Sequence, residues 1–376
     1  MTRQALKRLA AMSLSILMLC LPCCAAASLA PQQAQGALQL LLFSGVAVAA
    51  PAGSGEAAAQ WLRQSTETVQ QTGEADTAPP ADIPQSTPHT ETILPPESAL
   101  QSLIDAIPPE RRGVIETVQY AAGSTAEGYF FFGEGCIRNA SAQNTLTLAA
   151  EAAKPLSLSL DGSSDEPQVL IVHTHTTESY DPNDIGYYDS EHPTRSTLDS
   201  ENMIAVGEAM CRALHALGIN AVHATEYHDY PSYTGAYTRS RETVRQYLLR
   251  YPSIKVVLDL HRDGIQRDDG TRVKPTAEIE GRKAAQLMLV VNADDGSGNM
   301  PYQAENLRFA ARLQDTLQRR FPSLARPVLF DERKYNQDLM PGCLLVEIGS
   351  ESSTLAEACY SAELLAACLA ETLAGG

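Results

Sequence analysis

Beyond its N-terminal apolar run the sequence contains no Cys-x-x-Cys pair, and it has no internal repeat and comparatively few basic residues. Of its eight cysteines, Cys20, Cys23 and Cys24 fall in an N-terminal apolar run. Cys136, Cys211, Cys343, Cys359 and Cys368 are scattered and odd in number. That pattern argues against a disulfide framework and against a cysteine-type zinc site. These thiols read instead as small buried apolar groups. Lys and Arg number 28 against 45 Asp and Glu, a formal net charge of −17. Such a chain lacks the basic footprint that neutralises phosphates, which argues against nucleic acid as a partner. The 376 residues suffice for one large domain with accessory segments, or for two modest domains.

Charge is also missing from Leu9–Ala30, which follows Arg3, Lys7 and Arg8, and the first acidic residue is Glu56. Its 22 residues are long enough to span a hydrocarbon core of ~30 Å as a helix. The basic flank predicts that the start stays inside the cell and the rest is exported. Residues 1–50 are therefore expected to be a signal-anchor, single-pass, with the remainder outside the cytoplasm. Small residues at Ala25–Ala27 and Ala47–Ala50 leave signal cleavage and secretion as the alternative. Residues 51–98 have almost no aliphatic clusters and are rich in Ala, Gln, Thr, Pro, Ser and Glu. Such a stretch buries too little apolar area to offset its ordering entropy, and it reads as a flexible linker.

Residues 99–166 form a small lead-in subdomain, with a helical pattern at Leu100, Leu103, Ile104 and Ile107 and an aromatic strand at Tyr129–Phe132. Over 167–376 the pattern alternates between strand and helix. Val169–Val172 is a continuous apolar run, as expected of a strand buried on both faces. Residues 202–217 align Met203, Val206, Met210 and Leu214 at helical spacing before Gly218. Further strands are predicted at 219–225, Ile254–Leu260, Leu287–Val291 and Leu344–Val346. Helices are predicted near 240–250, 304–320 and 354–374. The expected fold is α/β, a predominantly parallel sheet with helices on both faces.

In such folds ligands sit beyond the carboxyl ends of the strands. Three polar clusters end three of these strands: His173 to Glu178, His261-Arg262-Asp263, and Glu347. Two nitrogen ligands and one oxygen ligand with a fourth position open is the usual catalytic zinc arrangement. His175, Glu178 and His261 are the candidate Zn2+ ligands, and Glu347 the candidate base. A single histidine is more often structural than ligating, and His192, His215, His223 and His228 are read as surface or supporting groups. His173 and His175 alternate along the chain, so only one should face a metal.

The stretches His173–Tyr180, Asp259–Asp263, Tyr335–Leu339 and Leu345–Ser350 together resemble the stage II sporulation protein P family. Val206-Gly207, the run Ala284–Val291, Asn306-Leu307 and Phe321–Leu324 add to the resemblance, which covers about residues 167–373. It implies a zinc amidase/carboxypeptidase-like fold. The implied enzyme is a zinc-dependent N-acetylmuramoyl-L-alanine amidase, a peptidoglycan hydrolase with endopeptidase activity also attributed to the family. It implies a role in septal wall thinning and engulfment during sporulation, with sporulation proteins D and M as partners. Arg262 would steady a peptide carboxylate or the developing oxyanion, and Asn336 and Gln337 would either bind substrate or shape a loop. Broader zinc amidases place the acidic ligand at the start of the next helix, which makes Glu201 the alternative to Glu178. The family pattern also leads one to expect an asparagine close to Ser353 and a glycine where Asn292 stands. Two rival functions remain: a zinc carboxypeptidase or endopeptidase on stem peptides, and a catalytically silent peptidoglycan-binding scaffold.

Overall fold

Residues 97–374 are described by the structure, a computed structural model. The expected signal-anchor over 1–50 lies outside the described residues, as does the linker over 51–98 apart from its last two positions. Helix α1 (Glu97–Ala106) leads to strands β1 (Arg112–Val118), β2 (Tyr129–Phe132) and β3 (Gly135–Asn139), and to helix α2 (Thr145–Ala152). Then come β4 (Val169–Val172), β5 (Tyr187–Asp189), α3 (Met203–Ala216), β6 (Ala221–His223), α4 (Ala236–Arg250) and β7 (Val256–Asp263). The chain continues through β8 (Arg272–Ile279), β9 (Arg282–Ala285), β10 (Leu287–Asn292) and α5 (Gln303–Arg320). It closes with β11 (Val328–Asp331), β12 (Cys343–Ser350) and α6 (Leu355–Ala374). Among the described residues no helix is long and apolar enough to cross a membrane.

Eight strands form the main sheet in the order β2-β3-β11-β10-β12-β7-β4-β6, and β5-β1-β8-β9 form a second sheet. The main sheet is mixed: most of its pairs run parallel, as expected, and two run antiparallel. Pairs β10/β12 and β2/β3 run antiparallel, while β12/β7, β7/β4, β4/β6, β10/β11 and β11/β3 run parallel. The cause is the link into β10. A parallel neighbour needs a crossover of a dozen or more residues. Here β8 and β9 form an antiparallel ribbon and only Gln286 separates β9 from β10, so the chain re-enters the main sheet reversed. Residues 112–139 contribute β1 to the second sheet and β2 and β3 to the edge of the main one.

The expectation of a strand buried on both faces is met at β4, where all four residues are buried. Alternate side chains of β4 and β7 part to opposite faces, as a strand dictates. Val169, Ile171, Val256, Leu258 and Leu260 join the larger core with α3, α5 and α6. Leu170, Val172 and Val257 join a smaller core with Val244 of α4. Helix α3 is capped by Asn202, whose side chain accepts from the Ile204 amide. Fully buried Lys274 of β8 sits 2.7 Å from Asp184 Oδ1 and 2.9 Å from Glu357 Oε1, tying the second sheet to the start of α6. This alternation also sorts the polar residues: His261 falls on the α4 side of β7 and Arg262 on the opposite side.

Candidate metal centre

The chain beyond β4 turns back on itself through its threonines. Thr174 donates from its amide to Asp259 Oδ1 (2.8 Å) and from its hydroxyl to Asp259 Oδ2 (2.6 Å). Thr176 Oγ1 lies 2.9 Å from the His173 carbonyl and 2.8 Å from that of Glu226. Thr177 donates its hydroxyl to Asp229 Oδ2 (2.6 Å), and the Glu178 amide closes a turn on the His175 carbonyl (3.0 Å). These bonds tie the loop down, so it presents His175 and Glu178 toward the end of β7.

There His175, Glu178 and His261 converge, with one ligand atom of each within 4.8 Å of the others. Nδ1 of His175 stands 3.2 Å from Glu178 Oε1, and Nδ1 of His261 stands 3.4 Å from Glu178 Oε2. On its other side, His261 Nε2 is 3.0 Å from Asp259 Oδ1, an ion-pair contact without hydrogen-bond alignment. A carboxylate behind a ligating imidazole fixes its orientation and raises its basicity. Burial alone would push the Glu178 carboxyl up, but its bonds with His175 and His261 outweigh that and hold it well below the usual carboxylate range. Desolvation opposes charge on His261, yet Asp259 and Glu178 overcome it and raise its pKa well above the ordinary value. Two imidazole nitrogens, an ionised carboxylate and a carboxylate behind one of the imidazoles suit a divalent zinc ion.

Glu347 lies directly across from His261 in the β12/β7 register. Its Oε2 is shut off from solvent and has no hydrogen-bond partner among the described residues. Burial pushes its carboxyl up to about 8. A cation in the neighbouring cluster would lower it again, since opposite charge favours the ionised form. The sign of the stability effect follows from the shift. Between about 4.5 and 8 the folded, metal-free protein holds a proton that the unfolded chain has released, so stability falls as pH rises through that window. Glu347→Gln abolishes this loss. Melting curves in chelator should show the variant's Tm advantage growing from pH 5 to pH 8, and a pH-independent difference would refute the assignment.

The structure separates the paired alternatives. His173 does not join the cluster: its Nδ1 lies 3.1 Å from the Leu260 carbonyl and its Nε2 lies 2.8 Å from His223 Nε2. Burial and the neighbouring His223 lower its pKa to about 3, so this ring is neutral. Both rings press on α3 at Gly207, where an added Cβ would come within 2.5 Å of them, so no larger residue fits. Glu201 is not in the cluster either; its Oε2 accepts from Ser196 Oγ at 2.7 Å on an exposed loop. Arg262, expected to hold a substrate carboxylate or oxyanion, is 8% exposed and turned to the opposite face of β7. Its guanidinium bonds the carbonyls of Ser179 (2.9 Å), Thr194 (2.7 Å) and Asp263 (3.4 Å), clamping the 179–194 loop. Asn336 and Gln337 latch a loop rather than face the cluster. Asn336, at φ 60°, donates to the Tyr237 carbonyl, and Gln337 pairs with the backbone of Asn292 and Val290.

Sequence reasoning missed the aromatic wall. Tyr233 stacks on His175 with ring centroids 4.7 Å apart, and Tyr237 lies parallel to His261 at 6.3 Å and to Tyr335 at 5.2 Å. Tyr335 belongs to a stretch singled out above, but Tyr233 and Tyr237 follow no strand end and carry no periodic signal. Arg195 was also missed: it reaches Asp229 Oδ2 (2.5 Å) and Glu178 Oε1 (3.4 Å), and its guanidinium lies over the Tyr233 ring.

Fold and cluster together define a mixed α/β protein with a His-Glu-His group that could hold a metal ion at the strand ends of its main sheet. Residues 117–370 match the family model of stage II sporulation protein P, and the chain belongs to that family. It is 30% identical over 206 residues to the stage II sporulation protein P of Bacillus subtilis strain 168, covering 52% of this chain and 48% of the relative. The chain thus spans about half the length of the curated relative it matches. Among solved structures it is similar to the N-acetylmuramoyl-L-alanine amidase AmiC2 of Nostoc punctiforme, at 14% identity and a TM-score of 0.32. That match covers 56% of this chain and 97% of the other. An N-acetylmuramoyl-L-alanine amidase from Clostridium difficile 630 matches at 14% identity and a TM-score of 0.33, covering 56% and 95%.

Proposed function

We propose that the protein is a zinc-dependent peptidoglycan hydrolase, an N-acetylmuramoyl-L-alanine amidase that acts in septal wall thinning and engulfment during sporulation. The observation that carries this reading is the convergence of His175, Glu178 and His261 within 4.8 Å, with Glu347 at the register position beside His261. His175, Glu178 and His261 would hold the ion. A bound zinc ion supplies Lewis acidity and brings a water's pKa toward neutrality. Glu347 takes the proton of the attacking water and delivers it to the leaving amine of L-alanine. Asp259 holds the His261 ring in place, and Thr174 holds Asp259. Tyr233, 56% exposed beside His175, offers an aromatic face to a sugar ring or peptide plane. The proposal extends to placement: residues 1–50 anchor the chain in the membrane with the centre on the wall side, and sporulation proteins D and M act with it.

The test is digestion of purified sacculi by the zinc-loaded protein, followed by mass spectrometry of the products. Glycan strands with free lactyl ends and intact released peptides are expected. Trimmed stem peptides with lactyl groups still substituted would replace the amidase reading by a carboxypeptidase or endopeptidase. No soluble product of either kind would leave a peptidoglycan-binding scaffold.

A further inference from the structure

A cleft of about 530 Å³ opens over β10, β11 and β3, on the sheet face that Glu347 shares with His261. The register shows the continuity. Glu347 is the partner of Met288 on β10, Val290 of Leu329 on β11, Leu329 of Arg138 on β3, and Arg138 of Tyr129 on β2. Register partners share a face and every second residue returns to it, so Met288, Leu329, Arg138 and Tyr129 stand on one face with Glu347. All four line the cleft, with Asp263, two residues beyond His261 on β7.

Arg326 also lines this cleft and is 8% exposed. Its Nη1 donates to Asp263 Oδ2 at 3.0 Å, whereas its Nε and Nη2 have no hydrogen-bond partner among the described residues. Those two N–H groups form one edge of the guanidinium, the fork whose spacing matches a carboxylate. A buried cation with unspent donors is costly until an acceptor arrives. The Tyr120 ring lies over the group, 5.6 Å from Cζ to the centroid. Exposed Arg138 adds a second cation, so two guanidiniums face one carboxylate in a chain whose net charge is −17. The cleft is therefore positive where the protein as a whole is negative.

We propose that this cleft is a peptide subsite that takes a carboxylate of the stem peptide. Arg138 draws the anion in, and the carboxylate displaces the Tyr120 ring to pair with the free edge of Arg326. The placement relative to the scissile amide rests on the hydrolase reading above; the charge preference rests on the cleft alone.

The test is calorimetric titration of the whole protein in chelator, where no turnover intervenes. The probes are the tripeptide L-Ala-γ-D-Glu-L-Lys and the same tripeptide with its carboxylates amidated. Amidation is expected to weaken binding about tenfold or more, the size of one charge-assisted pair. Arg138→Glu and Arg326→Gln should each remove most of that preference. Arg138 is exposed, so its variant folds even if loss of buried Arg326 does not leave a stable protein. Equal affinity for the two peptides, or an unchanged preference in Arg138→Glu, would overturn the proposal. Charge-selective binding by a protein that releases no lactyl ends would overturn the amidase reading and uphold the subsite. Lactyl release without charge selectivity would do the reverse.

Discussion

His261→Ala is expected to leave a folded protein that no longer holds zinc. The imidazole is 3% exposed and stands between Glu178 and Asp259, so truncation to alanine leaves a buried gap with no nitrogen ligand in it. Removing it deletes one of three ligand atoms and leaves two buried carboxylates facing each other. Loss of a supporting group behind a metal ligand lowers affinity by about 10–100-fold, and loss of the ligand itself should exceed that. His175→Ala should behave alike, whereas His173→Ala should keep its metal, because His173 bonds Leu260 and His223 and not the cluster. Elemental analysis after exhaustive dialysis distinguishes these outcomes. Full zinc occupancy in both His175→Ala and His261→Ala would remove the centre from its assigned position.

Glu347→Ala should do the opposite, retaining zinc and losing turnover. The carboxyl lies beside His261 in the strand register but is not among the converging ligand atoms. A group that only moves a proton contributes roughly 10²–10⁴-fold to the rate. A drop of that size in kcat on solubilised peptidoglycan is expected, with KM nearly unchanged. Glu347→Gln, which keeps the shape and loses the base, should fall as far. Activity within a few-fold of the unmodified protein in both variants would assign the proton transfer elsewhere. Metal loss in either variant would make Glu347 a ligand instead of the base.

Much of the centre is legible in the sequence. The run Val169–Val172 followed by His173 and His175, and Ile254–Leu260 followed by His261, announce strands whose exits carry imidazoles. An apolar run sets where a strand lies, and its last residue sets what stands at the sheet edge. The helices at 202–217 and 304–320 were legible for a similar reason, since an apolar stripe at 3.6-residue spacing survives whatever it packs against. The direction of β10 was not legible, because it depends on β8 and β9 forming a ribbon that returns the chain reversed. Nor was the clamp role of Arg262. The stretch Asp259–Asp263 names five residues without saying which face each takes, and Arg262 turned out to bond loop carbonyls on the side away from His261.

The sequence by itself determined the strand ends, the charged and imidazole groups carried there, and the family. Local chain geometry is enough for that, because the two-residue and 3.6-residue periods are written in the order of side chains. Only the tertiary structure brought His175 rather than His173, and Glu178 rather than Glu201, together with His261, and placed the tyrosines beside them. Those choices depend on side chains far apart in sequence meeting in space, as Asp259 meets Thr174 and Tyr233 meets His175. No periodicity encodes such meetings. They follow from how the loops beyond β4 and β7 fold over one another once the sheet has brought their ends together.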